Sequence, residues 1–307
     1  MRPTVALARS DARSGHSDGK QTRAGQPGVR ALHPLPGETQ WSVMNRILAI
    51  ARNTFRENIR DRILYNLILF AILMILSSVV LGQLTLGHES KVIVDLGLAA
   101  ISVFGTVIAI FIGISLVSKE LEKRTVYSLL AKPVERREFL LGKYLGLLFT
   151  LLVNVTIMAA GLGLTLLYQG GFGFRDFLRL MPAMLLILLS LALTTAIALV
   201  FSTFSTPALS ALFTFFLWII GHFTGDLVEF GRMTESAAIA NLTRWLYYAL
   251  PNFSNFKQID SRNVIQAAGY FQPVSAAAVG WVAVYTLIYC AVLLELALLI
   301  FSRRDFK

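Results

Sequence analysis

The residues able to do chemistry in this chain are few and dispersed. Its four histidines are His16, His33, His88 and His222, and no H-E-x-x-H pair occurs. His222 and Asp226 stand four apart, a spacing two metal ligands can share on one helix face. An interfacial polar pair accounts for the same two residues. The nearest approach to a phosphate loop is Gly142-Lys143-Tyr144. It lacks the upstream glycine and the hydroxyl of G-x-x-x-x-G-K-[ST], so this chain has no site of its own for hydrolysing ATP. Cys290 is the only cysteine and lies in an apolar run, which excludes an internal disulfide and a cysteine-based metal cluster. Glu295 is the one clear acidic residue deep in an apolar stretch, about 9 Å from that stretch's end. It could bond a partner helix, line a vestibule or snorkel to the surface. No catalytic constellation emerges, so the expectation is a protein that is not an enzyme and binds no cofactor or metal.

The elements that carry these residues are set by composition. Hydrophobic residues make up 55% of the 307, charged residues 15%, and mean hydropathy is +0.64. A soluble domain carries about 25% charged residues, so this chain has too little polar surface to cover itself in water. Six apolar runs, at 63–83, 96–117, 144–168, 178–201, 206–223 and 274–301, each approach the roughly 20 residues that cross a hydrocarbon core. None shows the alternation of a membrane barrel. The expected fold is all-α, a six-span transmembrane helical bundle. Gly161 and Gly163 in the third run suit close helix packing.

The net charge of +10 does not indicate nucleic acid, because the cations gather at the ends of apolar runs. Fifteen lysines and arginines fall in 45–62, 118–143 and the C-terminus, against seven in the segments on the other side. Such asymmetry places both termini in the cytoplasm, in the cell inner membrane. Residues 1–43 are rich in Arg, Ser, Gly and Pro and lack a signal-peptide core. They read as a disordered tail or as sequence upstream of a true start at Met44. The segment 44–62 reads as an interfacial helix lying on lipid, with Met44, Ile47, Leu48, Ala51, Phe55 and Ile59 on one face and Arg46, Arg56 and Arg60 on the other.

The loop 119–143 carries the most information. Glu120 and Arg124 are spaced to pair along a helix. Lys132 before Pro133 ends that helix, and Pro133 opens a second one with Glu135 and Glu138 in its first turn. The expectation is a helix–break–helix hairpin able to receive force from a soluble partner; composition taken alone favours a solvated charged loop. On the other side, 224–273 contains Leu242-Thr243-Arg244-Trp245-Leu246-Tyr247-Tyr248, aromatic in the manner of a headgroup-level anchor.

Glu120, Glu122, Thr125, Leu129, Leu130, Pro133, Arg136 and Gly142-Lys143 resemble the E-x-E-x-x-T…LL…P…R…GK pattern of type-2 ABC transporter permeases. Two positions depart from it: Arg124 stands where the family usually has Gly, and Glu135 replaces a common Ser. The likeness extends over 44–307 and is similar in style to permeases of the copper-enzyme (nitrous-oxide reductase) maturation type. It implies that the segment between spans two and three contacts a separate ABC ATP-binding subunit, with Glu120, Glu122, Thr125, Leu129, Leu130, Pro133 and Arg136 as the coupling residues. It further implies a second permease protomer, in a homo- or heterodimer, and a short re-entrant or gating helix within 224–250. The resulting expectation is the permease subunit of an ATP-driven exporter. A membrane anchor or assembly factor that moves nothing is the alternative.

Overall fold

The computed structural model describes residues 36–83, 89–123, 135–169, 173–234, 236–257 and 276–303. Among these every regular element is helical: α1 (Pro36–Ile59), α2 (Arg62–Gln83), α3 (Glu89–Lys123), α4 (Arg136–Gln169), α5 (Phe174–Phe204), α6 (Pro207–His222), α7 (Thr224–Met233), α8 (Ala237–Ala249), the single turn α9 (Ser254–Lys257) and α10 (Ala276–Arg303). Residues 1–35 lie outside the described part. α1 itself starts at Pro36, upstream of Met44.

α5 is the axis of the bundle, buried on every side from Ser190 to Val200. α3 and α10 pack along it, α2 and α4 pack on α3, and α6 leans on α5 and α3. Close approach of α3 to α5 depends on Gly113, where a Cβ would come within 2.8 Å of the Ala198 Cβ. Without a strong hydrophobic drive between helices in lipid, such small-residue contacts and dispersion hold them together. Several buried hydroxyls are satisfied within their own helices. Thr194 donates to the Ser190 carbonyl at 2.9 Å and Thr195 to the Leu191 carbonyl at 2.8 Å, as an apolar medium demands. Tyr144 crosses between helices, its hydroxyl donating to the Ala192 carbonyl at 3.0 Å.

Four helices are long and apolar enough to cross a membrane, within α3, α4, α5 and α10. The run expected at 206–223 differs from expectation. α6 has 16 residues, about 24 Å, and a 50° bend at Phe223 leads into α7; together they make a fifth candidate. In α2 the apolar helical stretch is the shorter Leu67–Val80. The described helices thus supply four spans, or five with the bent pair, against the six expected. α4 also begins at Arg136 rather than 144, because charged side chains at its start do not interrupt the backbone ladder.

Chain direction gives the bundle two ends. One carries α1, the last turn of α3, the first turns of α4 and the end of α10. The other carries α7, α8 and α9. A Cβ on Gly163 near the end of α4 would come within 3.0 Å of the Phe177 ring of α5, a close packing that the sequence suggests, whereas one on Gly161 would meet nothing nearer than the Ile72 side chain at 3.8 Å.

Candidate functional site

At the α1 end, α3 and α4 stand on either side of the 124–134 segment. With 35 and 34 residues they are about 52 and 51 Å long, well beyond the roughly 30 Å of a hydrocarbon core. The described ends of the expected hairpin, 119–123 and 136–143, are therefore continuous with α3 and α4. Glu120 and Glu122 lie in the last turn of α3. Arg136 opens α4 and is exposed. The backbone N–H of Phe139 donates to the Glu135 carbonyl at 3.1 Å, which sets Glu135 at the cap, and Glu138 occupies the first turn, favourable beside the positive end of the helix dipole. Thr125, Leu129, Leu130 and Pro133 lie outside the described residues.

The base of this arm is clamped by α1. A Cβ on Gly142 would fall 2.8 Å from the Ile50 Cβ and 2.9 Å from the Ile47 carbonyl oxygen; one on Gly146 would fall 2.6 Å from the Ala51 carbonyl oxygen. Phe55 packs edge-on against Phe149 with ring centroids 4.5 Å apart. Arg46 forms an ion pair at 3.5 Å with Glu138, whose side chain is only 7% exposed. Lys143 is buried, its ammonium 4.7 Å from the centre of the Phe139 ring, a cation–π contact. The apolar face expected for α1 is consequently split. Ile47, Ala51 and Phe55 turn toward α4 along with Thr54 and Asn58, while Met44 and Leu48 remain exposed. Sequence reasoning missed this clamp, although Gly142 and Gly146 form a G-x-x-x-G spacing that signals backbone-close helix contact.

At the other end, the turn 250–253 folds back onto the bend between α6 and α7. Phe253 is fully buried and stacks on His222, with centroids 5.4 Å apart and planes 7° from parallel. Its N–H donates to the Gly221 carbonyl at 3.0 Å. The Asn252 side-chain oxygen accepts from the Thr224 hydroxyl at 2.8 Å and from the Ser254 N–H at 3.0 Å, and the Asn252 N–H donates to the Tyr285 hydroxyl at 2.9 Å. This knot ties α6, α7, α9 and α10 together. It also removes the premise of the His222–Asp226 pairing, because the bend at Phe223 interrupts the helix on which four-residue spacing would align them. The His222 Nδ1 engages the Trp218 carbonyl at 2.8 Å, and Asp226 is exposed. Among the described residues no group of three His, Cys, Asp or Glu side chains is placed to hold a metal.

Glu295 is exposed on α10, whose buried face is formed by Thr286, Cys290, Leu294, Ala297 and Leu298. It therefore faces away from this chain's interior and lines no vestibule within it. α7 and α8, placed in 224–250, are two short helices packed against each other, with Gly231 directly against Thr243.

Residues 48–306 match the ABC-2 family transporter protein family. The chain is also 31% identical, over 282 residues that cover 85% of it and 99% of the relative, to a Stutzerimonas stutzeri protein named "Probable ABC transporter permease protein NosY". Helices of this length and polarity, with no nucleotide-binding loop in the sequence, agree with both findings. The chain belongs to the ABC-2 transporter family, as a multi-pass membrane permease component whose ATP-binding subunit is a separate protein.

Proposed function

We propose that this chain is the membrane-spanning subunit of an ATP-driven exporter in the cell inner membrane, working as a dimer with two ATP-binding subunits. In this reading the bundle has six spans, α2 and the α6–α7 pair included, and both termini face the cytoplasm. The observation that carries it is the pair of uninterrupted helices, α3 and α4, that run past membrane thickness on either side of the 124–134 segment. A helix transmits displacement along its length without a hinge unless proline, a π-bulge or an inserted group breaks its ladder. Closure of the ATP-binding subunits against 119–143 would thus shift the spans themselves between two packed states.

Glu120, Glu122 and Arg136 would meet charged groups of the ATP-binding subunit, and Thr125, Leu129, Leu130 and Pro133 would form the tip seated in its groove, as helices dock. The α1 clamp on Gly142 and Gly146 would hold α4 rigid at its base. The cationic surplus at this end supports its placement on the cytoplasmic side. The distinguishing experiment is co-purification of the permease with its ATP-binding subunit, followed by reconstitution in liposomes. ATP hydrolysis that depends on the permease and drives movement of a solute across the bilayer is expected. Hydrolysis without movement would favour an anchoring role.

A further inference from the structure

Beyond transport coupling, the end of the bundle opposite α1 carries a cleft of about 620 Å³ between α7, α8 and α9. Its size lies within the roughly 300–1,000 Å³ typical of small-molecule sites. Arg232 and Arg244 line it together with Tyr247, Tyr248 and Asn255, and Glu229 is its acidic member. The two guanidiniums and one carboxylate leave the lining with a net positive charge. Glu229 reaches Arg232 at 3.7 Å, with both side chains largely exposed, and a pair of that kind is weak enough to yield to a better anion. Outside the lining, Phe230, Met233, Leu242 and Trp245 are exposed on the same two helices. Aromatic and apolar side chains beside cations on short amphipathic helices fit the depth at which headgroups meet acyl chains.

We propose that this cleft binds the phosphate of an anionic phospholipid headgroup, with Arg232 and Arg244 donating to its oxygens and the exposed apolar side chains of the same two helices meeting the acyl layer. Guanidinium suits this because its planar N–H donors match a phosphate's oxygens in pairs. These exposed side chains, carried by the helices that bear the two arginines, favour a lipid over a soluble phosphate, since a soluble anion leaves Phe230, Leu242 and Trp245 in water.

The test uses the full chain in nanodiscs, comparing phosphatidylglycerol with phosphatidylcholine, and in detergent with glycerol 3-phosphate as the soluble probe. Bound lipid is read by native mass spectrometry and protection by thermal unfolding. Phosphatidylglycerol is expected to be retained in preference to phosphatidylcholine. The doubly substituted Arg232→Gln/Arg244→Gln protein should retain it at least about tenfold less, the factor that loss of one charged hydrogen bond already supplies. Glu229→Gln should raise retention by removing the competing carboxylate, a gain that general loosening of the fold would not produce. Equal retention by wild type and the arginine double variant would overturn the proposal. So would equal retention of the two lipids, or protection by glycerol 3-phosphate as strong as that by phosphatidylglycerol.

Discussion

Reversing both acidic residues at the end of α3, as Glu120→Arg/Glu122→Arg, is expected to leave membrane insertion intact and to lower ATP-driven transport about tenfold or more. Loss of a single charged hydrogen bond costs about 1.5 kcal/mol, which already amounts to that factor, and a reversed charge adds repulsion. The readouts are pull-down of the ATP-binding subunit and transport in liposomes, each normalised to folded protein. Wild-type binding and transport in the double variant would remove both residues from the coupling surface.

The second large effect is expected at the base of the same arm. Gly146→Val places a side chain where the Ala51 carbonyl oxygen already lies 2.6 Å from an ideal Cβ, and backbone cannot yield as a flexible side-chain tip can. Overpacking typically costs about 1–3 kcal/mol, and this position should fall at the upper end or above it. Displacing α1 would also separate Phe55 from Phe149 and leave Glu138 largely buried without Arg46 beside it, which is costly in its own right. The expected outcome is a lowered unfolding temperature and new protease cleavage at Arg52 and Arg56 within α1. Gly280→Val is the matched control, since nothing lies within 4 Å of its ideal Cβ. If Gly146→Val unfolds with Gly280→Val and α1 stays protected, the clamp does not depend on this contact.

The parts of this architecture legible in the sequence are those governed by local composition. The runs at 96–117, 144–168 and 178–201 fall inside α3, α4 and α5, and the run at 274–301 does so in α10 from Ala276 onward, because about twenty apolar residues have few other ways to satisfy their backbone in lipid. Their ends were less legible. Lys119, Lys123, Arg136 and Lys143 are good helix formers as well as topology signals, so α3 and α4 continue where charge begins. The break at Phe223 had no proline to announce it. It is held by Phe253 seated on Gly221 and by Asn252 bonded to Thr224 and Tyr285, contacts between residues about thirty positions apart. A still greater separation in sequence hid the α1–α4 clamp, of which only the Gly142–Gly146 spacing is a local trace. The coupling residues were identified by family pattern. Of these, Glu120, Glu122 and Arg136 fall on described helices, where α3 ends and α4 begins.

The central claim is that 119–143 is the surface on which a separate ATP-binding subunit acts. Site-specific crosslinking in the assembled transporter tests it most directly. Cys290 is the sole cysteine and is buried, so a Cys290→Ser background gives a chain with no competing thiol. Single cysteines at Leu129 and at Trp245 then report from opposite ends of the bundle. The account predicts a crosslink from Leu129→Cys to the ATP-binding subunit, altered in yield by ATP, and none from Trp245→Cys. A crosslink from Trp245→Cys with none from Leu129→Cys would contradict it.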